Sequence, residues 1–398
     1  MKFLFLISRF LDGGIDTVLV EYLNAMVRLT DHEVTLAITL KMNEAEVFLS
    51  RIDRRVKIEY LVDEDWLTAY KRKKHHHQKN ALLGAADEIV LNPIRRMLTK
   101  QRLAKLSREM DVVIDFDACH ASFIDVVPKD AKTFVWFHFS LEHEARRSPK
   151  RMKRLGRQFA KYDKIVLIAD AMLEEARRLY PQYADKYCRI YNCLNKELIE
   201  QKATEKEDDE RINKPFVLAV ERLEENQKDI TTLIKAYAKF LSVQQAISNP
   251  SSLIPNPYLY IIGEGRSRAD LERLIADLHL EDKVHLLGFK SNPYPWMKAS
   301  QMLVHSSKFE GLPTVLIEGM LLKKFVICTD CPTGPVEILD HGKAGILVPM
   351  NEVDAFAEAI QEGLKDTSER KAMLADAAEH SKLFLPETSI HDLLKLCE

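Results

Sequence analysis

Short apolar runs of five to seven residues recur along this chain, and the stretches between several of them carry apolar residues at helical spacing. Six runs precede residue 195: KFLFLIS at 2–8, EVTLAIT at 33–39, a run over 57–62, DVVID at 111–115, TFVWFH at 133–138 and KIVLIA at 164–169. Behind the first, the Gly13-Gly14 break leads into Ile15, Val18, Leu19, Tyr22, Leu23, Met26 and Val27, which fall on one helix face. Runs this uniformly apolar belong to strands buried on both faces, and their alternation with helices predicts a parallel sheet covered on each side.

The alternation stops at 195–214, where NKELIEQKATEKEDDERINK is charge-dense and lacks an apolar stripe. It then restarts with PFVLAV (215–220), YLYIIG (258–263), KVHLLGF (283–289), QMLVHS (301–306), FVICTD (325–330) and GILVP (345–349). Between the first two of these, Ile230, Leu233, Ile234, Tyr237 and Leu241 trace a helix face behind Asp229, read as its N-cap. A chain of 398 residues exceeds what one core usually organises. The expectation is therefore an α/β protein of two doubly wound, Rossmann-like domains, over 1–194 and 215–375, joined by a linker at 195–214. In such sheets ligands bind beyond the carboxyl ends of the strands, and with two domains the expected site is the cleft between them.

Composition excludes several classes. With 46% hydrophobic residues, 30% charged residues and a net charge of -2, the chain is neither disordered nor collagenous, and no stretch reaches the length of a membrane span. MKFLFLISRF has five apolar residues before Ser8 and Arg9, too few for a signal-peptide core, so a cytoplasmic location is expected. Cys119, Cys188, Cys193, Cys328, Cys331 and Cys397 are read as reduced thiols. The single CxxC at Cys328–Cys331 is a weak motif.

The densest chemistry lies in FEGLPTVLIE. QMLVHS predicts a strand and TVLIEGMLLKK a helix entered through Leu312-Pro313, so Glu310 sits at the carboxyl end of a strand. Gly311 clears the approach to the helix N-terminus, where free N–H groups and the helix dipole favour an anion. Glu318 lies about 9 Å along the axis from Leu312, at 1.5 Å per residue. Two carboxylates flanking an anion-binding helix end suit a ligand made of sugar, diphosphate and ribose. Val315, Leu316, Ile317 and Met320 mark the helix as buried, and a buried glutamate needs a partner.

These residues resemble the retaining GT-B glycosyltransferases of family 4, the glycosyl transferases group 1 type, whose second domain carries an E-x7-E motif, here Glu310 to Glu318. AVERLEENQKDI resembles the family's phosphate-binding segment, with Arg222 and Lys228 as the cations. YLYIIGEG resembles its strand and Gly-x-Gly, at Gly263 and Gly265, and VHLLGF its base-contacting segment, at Gly288 and Phe289. Gly13 and Gly14 resemble the loop that approaches the donor phosphates, and WFHFS puts His138 where the family keeps a histidine near the sugar.

The resemblance implies two facing Rossmann-like domains, retention at the anomeric carbon, and a catalytic set of Glu310, His138, Arg222 and Lys228. Gly311, Leu312, Pro313, Thr314 and Glu318 would complete the donor site. The donor is expected to be a nucleotide sugar, UDP-linked, with no metal or other cofactor, and the acceptor a glycan or lipid-linked chain of surface polysaccharide or glycoconjugate synthesis. It further implies that residues 376–398 form a helix returning to the first domain. Two departures stand out: Glu221 occupies a position where the family usually has glycine, and Ile15-Asp16 replaces a common Glu-Arg.

Three basic segments, KRKKHHHQK (71–79), Arg95 to Lys105 and RRSPKRMKRLGR (146–157), suggest either a solvated face or peripheral contact with anionic membrane. The triplet His75-His76-His77 reads as part of a basic loop. Asp115-Phe116-Asp117 resembles a metal-binding DxD but ends a strand, so a strand-terminus role is expected. No GxGxxG with a following acid supports a dehydrogenase. No stacking aromatics or recognition helix support nucleic-acid binding. A nucleotide-sugar epimerase or hydrolase, or a non-catalytic nucleotide-sugar binder, are the alternatives.

Overall fold

A computed structural model describes residues 1–11, 13–75, 80–246 and 256–398. The chain divides into two units, one of 1–168, 172–193 and 386–398, the other of 169–171 and 194–385. His76 and His77 of the histidine triplet lie outside the described residues.

The first unit is built on seven parallel strands: β1 (Lys2–Ile7), β2 (Glu33–Leu40), β3 (Lys57–Val62), β4 (Val112–Asp115), β5 (Lys132–Phe137), β6 (Lys164–Leu167) and β7 (Tyr187–Arg189), in the order β3-β2-β1-β4-β5-β6-β7. Phe3 lies opposite Val34 of β2 and Val112 of β4, so β1 is central, and Phe3, Leu4, Phe5 and Leu6 are wholly buried. That is why β1 reads as continuous apolar residues rather than an alternation. Strand β7, absent from the sequence expectation, is three half-buried residues at the sheet edge, paired on one side with β6. The helix Gly14–Leu29 follows β1.

The helix Pro386–Lys395 also belongs to this unit. It buries Ile390 and Leu393, and Ser389 Oγ donates to the Tyr191 carbonyl at 2.9 Å, which Tyr22 Oη also reaches at 2.5 Å.

The second unit has six parallel strands: β8 (Phe216–Val220), β9 (Tyr258–Ile262), β10 (Val284–Gly288), β11 (Met302–His305), β12 (Phe325–Thr329) and β13 (Ile346–Val348), in the order β10-β9-β8-β11-β12-β13. Leu233, Ile234 and Tyr237 of the helix Ile230–Ala246 enter a core shared with Val217, Leu259 and Ile327. Ahead of that helix the Thr231 amide donates to Glu225 Oε1 at 3.0 Å, so the side chain holding its first turn is Glu225, not Asp229.

Two boundaries differ from the expectation. Residues 195–214 belong to the second unit: the short helix Lys196–Lys202 buries Ile199, Ala203 behind it is buried, Trp296 Nε1 donates to Glu207 at 2.8 Å and Asn292 Nδ2 donates to Glu205 at 2.8 Å. Residues 376–385 also stay in that unit, held by His380, whose Nε2 lies 2.7 Å from the Glu337 carbonyl, and by buried Phe384. No helix among the described residues is long and apolar enough to cross a membrane.

Candidate functional site

In both sheets the strand order reverses beside the central strand, at β1/β4 and at β8/β11, and the residues singled out above follow the carboxyl ends of strands. In the second unit the construction starts with two glycines. Gly263 has φ +146°, and a Cβ there would lie 1.9 Å from the Glu221 carbonyl oxygen; one on Gly265 would lie 2.2 Å from that of Leu223. The missing side chains let the loop after β9 run against the loop after β8, backbone to backbone, with the Leu223 amide donating to the Glu264 carbonyl at 3.0 Å. Gly263 and Gly265 thus shape the loop bearing Arg222. Arg222 is exposed, and its Nη2 donates to Gln227 Oε1 at 3.1 Å. Gly288 ends β10 with φ +77°, and Phe289 beyond it is 75% exposed.

Lys228 and Glu310 meet in a buried ion pair. The loops carrying them are stitched together by the Lys308 amide on the Gln227 carbonyl at 2.7 Å and by Lys308 Nζ on the Glu225 carbonyl at 2.7 Å. Around the Glu310 carboxylate gather Lys228 Nζ, Ser307 Oγ, His305 Nε2 at 3.1 Å and Gln227 Nε2 at 3.4 Å. Burial alone pushes Glu310 up, but the Lys228 ammonium and the His305 contact outweigh it and hold the carboxyl well below the usual range. His305 itself is lowered, by burial and then by Lys228.

Beyond Glu310 the chain turns through Gly311, buried Leu312 and buried Pro313 into the helix Thr314–Leu321. Thr333 Oγ1 donates to the Glu310 carbonyl, fixing the turn from the other side. No side chain caps this helix, so its first amides retain hydrogen-bonding capacity. Glu318 is half-buried, and Tyr294 Oη donates to it at 3.4 Å.

In the first unit Gly13 caps the helix Gly14–Leu29, and Asp16 closes the loop by accepting from the Gly13 amide at 2.9 Å and the Leu11 amide at 3.1 Å. That explains Asp16: it holds the glycine turn. His138 follows β5, with Nε2 3.0 Å from the Phe116 carbonyl oxygen, so Nε2 carries the hydrogen. Its ring lies 4.6 Å from Phe116 and parallel to Trp136, and Nδ1 is buried without a partner. Burial lowers its pKa to about 4, which leaves the imidazole neutral with an open acceptor.

Asp115, Asp117 and His120 each bring a ligand atom within 4.8 Å of the others. Donors converge on Asp115, whereas Asp117 Oδ1 is buried without a hydrogen-bond partner. Asp115 accepts from the His120 amide at 2.9 Å, from Tyr162 Oη at 2.6 Å and from the Cys119 amide at 3.1 Å, while His120 Nδ1 lies 2.9 Å from Asp115 and 3.4 Å from Asp117. Burial lowers the His120 pKa, but the two carboxylates outweigh it and push it up to about 10. His120 thus serves the two carboxylates as a hydrogen-bonding neighbour at the end of β4.

Residues 200–380 match the family of glycosyl transferases group 1. They form a group 1 glycosyl transferase domain. This group 1 domain contains Arg222, Lys228, Glu310 and Glu318. Among relatives, an N-acetylgalactosamine-N,N'-diacetylbacillosaminyl-diphospho-undecaprenol 4-alpha-N-acetylgalactosaminyltransferase of Campylobacter jejuni is 35% identical over 211 residues, 53% of this chain and 53% of that protein. A lipopolysaccharide core biosynthesis glycosyltransferase of Rhizobium meliloti, LpsE, is 29% identical over 156 residues, 39% of this chain and 41% of that one. The matched stretch spans about half the length of the Campylobacter relative.

Two solved structures are similar over the whole chain. HepE of Anabaena, in complex with UDP and glucose, has a TM-score of 0.71 at 18% identity and is covered over 99% of its length; TarM has a TM-score of 0.76 at 14% identity and is covered over 98%. Outside the group 1 domain, then, the likeness is one of fold, and that fold is GT-B.

Sequence reasoning missed His305, Ser307 and Gln227 around Glu310. Ser307 stood in the motif's flank, and His305 ended an otherwise apolar strand run at the carboxyl end of β11, a signal on which a partner could have been sought.

Proposed function

We propose that the chain is a retaining glycosyltransferase that moves a hexose-type sugar from a nucleotide-diphosphate donor, UDP-linked, to a glycan or lipid-linked acceptor of surface polysaccharide or glycoconjugate synthesis. The observation that carries this reading is the buried Lys228–Glu310 pair beside an uncapped helix start. In this reading Lys228, Arg222 and the first amides of the helix Thr314–Leu321 take the charge that develops on the departing diphosphate, without a metal. Glu310 holds sugar hydroxyls, Glu318 holds the ribose, and the open Nδ1 of His138 accepts a hydrogen bond from a hydroxyl at the reacting face. The glycine turn at Gly13-Gly14 lies along the diphosphate and Phe289 against the base. The name of the Campylobacter relative, with its diphospho-undecaprenol acceptor, supports a lipid-diphosphate acceptor here.

Thermal unfolding across a panel of nucleotides and nucleotide sugars tests the donor site. A cognate UDP-sugar at about a hundredfold excess over its Kd should stabilise by about 2.7 kcal/mol, a shift of about 5 °C or more. Arg222→Ala and Glu318→Ala should each abolish most of that shift. If no nucleotide sugar moves the folded wild type, the reading is wrong.

We further propose that the first unit touches anionic membrane through the helix Pro149–Gln158. Lys150, Lys153, Arg154 and Arg157 are exposed along it, and Arg147 just before it, with no ion-pair partner among the described residues. At about 1 kcal/mol per cation near such a surface, the triple change Lys150→Glu, Lys153→Glu, Arg154→Glu should weaken co-sedimentation with phosphatidylglycerol vesicles by about a hundredfold. Wild type that ignores those vesicles at moderate salt would remove the membrane from the reading.

A further inference from the structure

Beneath Glu310 lie two buried atoms, neither of which has a hydrogen-bond partner: Oε2 of Glu221 and Nδ1 of His305. They face each other at 3.2 Å. Both residues end strands, Glu221 following β8 and His305 closing β11, at the reversal of strand order. On the far side of the same imidazole, Nε2 lies 3.1 Å from Glu310 Oε1, nearer than to Ser307 Oγ at 3.3 Å or Lys228 Nζ at 3.4 Å. An ionised carboxylate only accepts, so the short contact to Glu310 requires the hydrogen on Nε2. Nδ1 is then an acceptor, and among the described residues Glu221, when protonated, is the neighbour that brings it a proton, at 3.2 Å.

We propose that Glu221 and His305 are positioning residues that share one proton: Glu221 O–H donates to His305 Nδ1, which fixes Nε2–H on Glu310, and loss of that proton weakens donor binding at alkaline pH. The proposal rests on the donor-site reading above. It gives a role to a glutamate at a position where the resembled family usually has glycine. It also explains how Glu310 stays ionised and oriented when Lys228 turns towards a diphosphate, because the imidazole continues to donate to it.

The groups facing Glu221 are His305 from β11, Lys228 and Glu225 from its own loop, Glu310 and Ser306 from the loop after β11, and Cys328 from β12. Burial pushes the Glu221 carboxyl up to about 8; Lys228 opposes this and Glu310 adds to it. The folded state therefore favours protonated Glu221, a contribution to stability fully present below the ordinary carboxyl pKa and lost as pH rises through about 8. Above that pH a second carboxylate competes with the diphosphate for Lys228.

The test has two readouts on the full chain. With ¹⁵N-labelled histidine, and His305→Asn to assign the signal, His305 should appear as the Nε2–H tautomer from pH 6 to 7.5, and it should remain so in Glu221→Gln, whose amide can donate in the same place. UDP affinity measured by calorimetry should fall about tenfold in wild type with a midpoint near pH 8, and Glu221→Gln should lose that limb. An Nδ1–H tautomer, or the same alkaline limb in both proteins, overturns the proposal. If UDP binds at no pH, the donor-site reading fails, and the tautomer alone decides whether the shared proton exists.

Discussion

Glu310→Ala is expected to lower donor turnover by about a thousandfold and to destabilise the second unit by roughly 3–5 kcal/mol. The two effects have separate causes. Glu310 gathers Lys228, His305, Ser307 and Gln227 around one carboxylate, and removing it leaves the Lys228 ammonium buried without its direct ion-pair partner. A pair broken on one side costs far more than a pair replaced on both, because the surviving charge stays desolvated. The turnover loss comes instead from the missing grip on the sugar. Glu310→Gln separates the two, keeping shape and hydrogen-bonding capacity while deleting the charge. The measurements are urea unfolding of the full chain and release of UDP from whichever UDP-sugar stabilises it. A folded Glu310→Ala protein that turns over at the wild-type rate would remove Glu310 from the mechanism.

The second large effect is expected from Gly263→Ala. Its φ of +146° suits few side chains, and the added methyl carbon would sit 1.9 Å from the Glu221 carbonyl oxygen, which belongs to backbone and cannot swing aside. Backbone strain and overpacking of about 1–3 kcal/mol each act together there, for a loss of roughly 3–5 kcal/mol. The displaced loop carries Glu221 and Arg222, so UDP affinity should fall with stability. Gly14→Ala is the comparison, since a Cβ at Gly14 meets nothing within 4 Å. Its unfolding midpoint should stay close to that of wild type, and a Gly263→Ala protein of equal stability would refute the account of the loop.

Much of the architecture could be read in advance because burial on two faces leaves a plain mark. KFLFLIS has no polar residue between Lys2 and Ser8 because β1 is paired on both edges and covered on both sides. β7 escaped because YCR is three residues at a sheet edge, half-buried, with no run to detect. The segment 195–214 is harder to read for a different reason. Its short helix Lys196–Lys202 buries Ile199 alone, and Glu205 and Glu207 bind Asn292 and Trp296, which are distant in sequence, so a charge-dense stretch carries little sign of its attachment to the second unit.

At the site, the FEGLPTVLIE stretch advertised itself because strand end, turn, helix start and both carboxylates are contiguous. The Glu221–His305 contact could not be seen there. Its members come from different strands, and only the sheet order β8-β11 brings them side by side.

The division of the chain also bears on how the protein is made. The second unit is almost one uninterrupted segment, 194–385, whereas the first needs Pro386–Glu398 as well as its amino-terminal residues. On a ribosome the second unit is therefore synthesised whole while the first still lacks the helix that buries Ile390 and Leu393 and brings Ser389 to Tyr191. Until those residues emerge, the apolar face of the helix Gly14–Leu29 that receives them stays uncovered. The half of the molecule translated first is the half that finishes folding last.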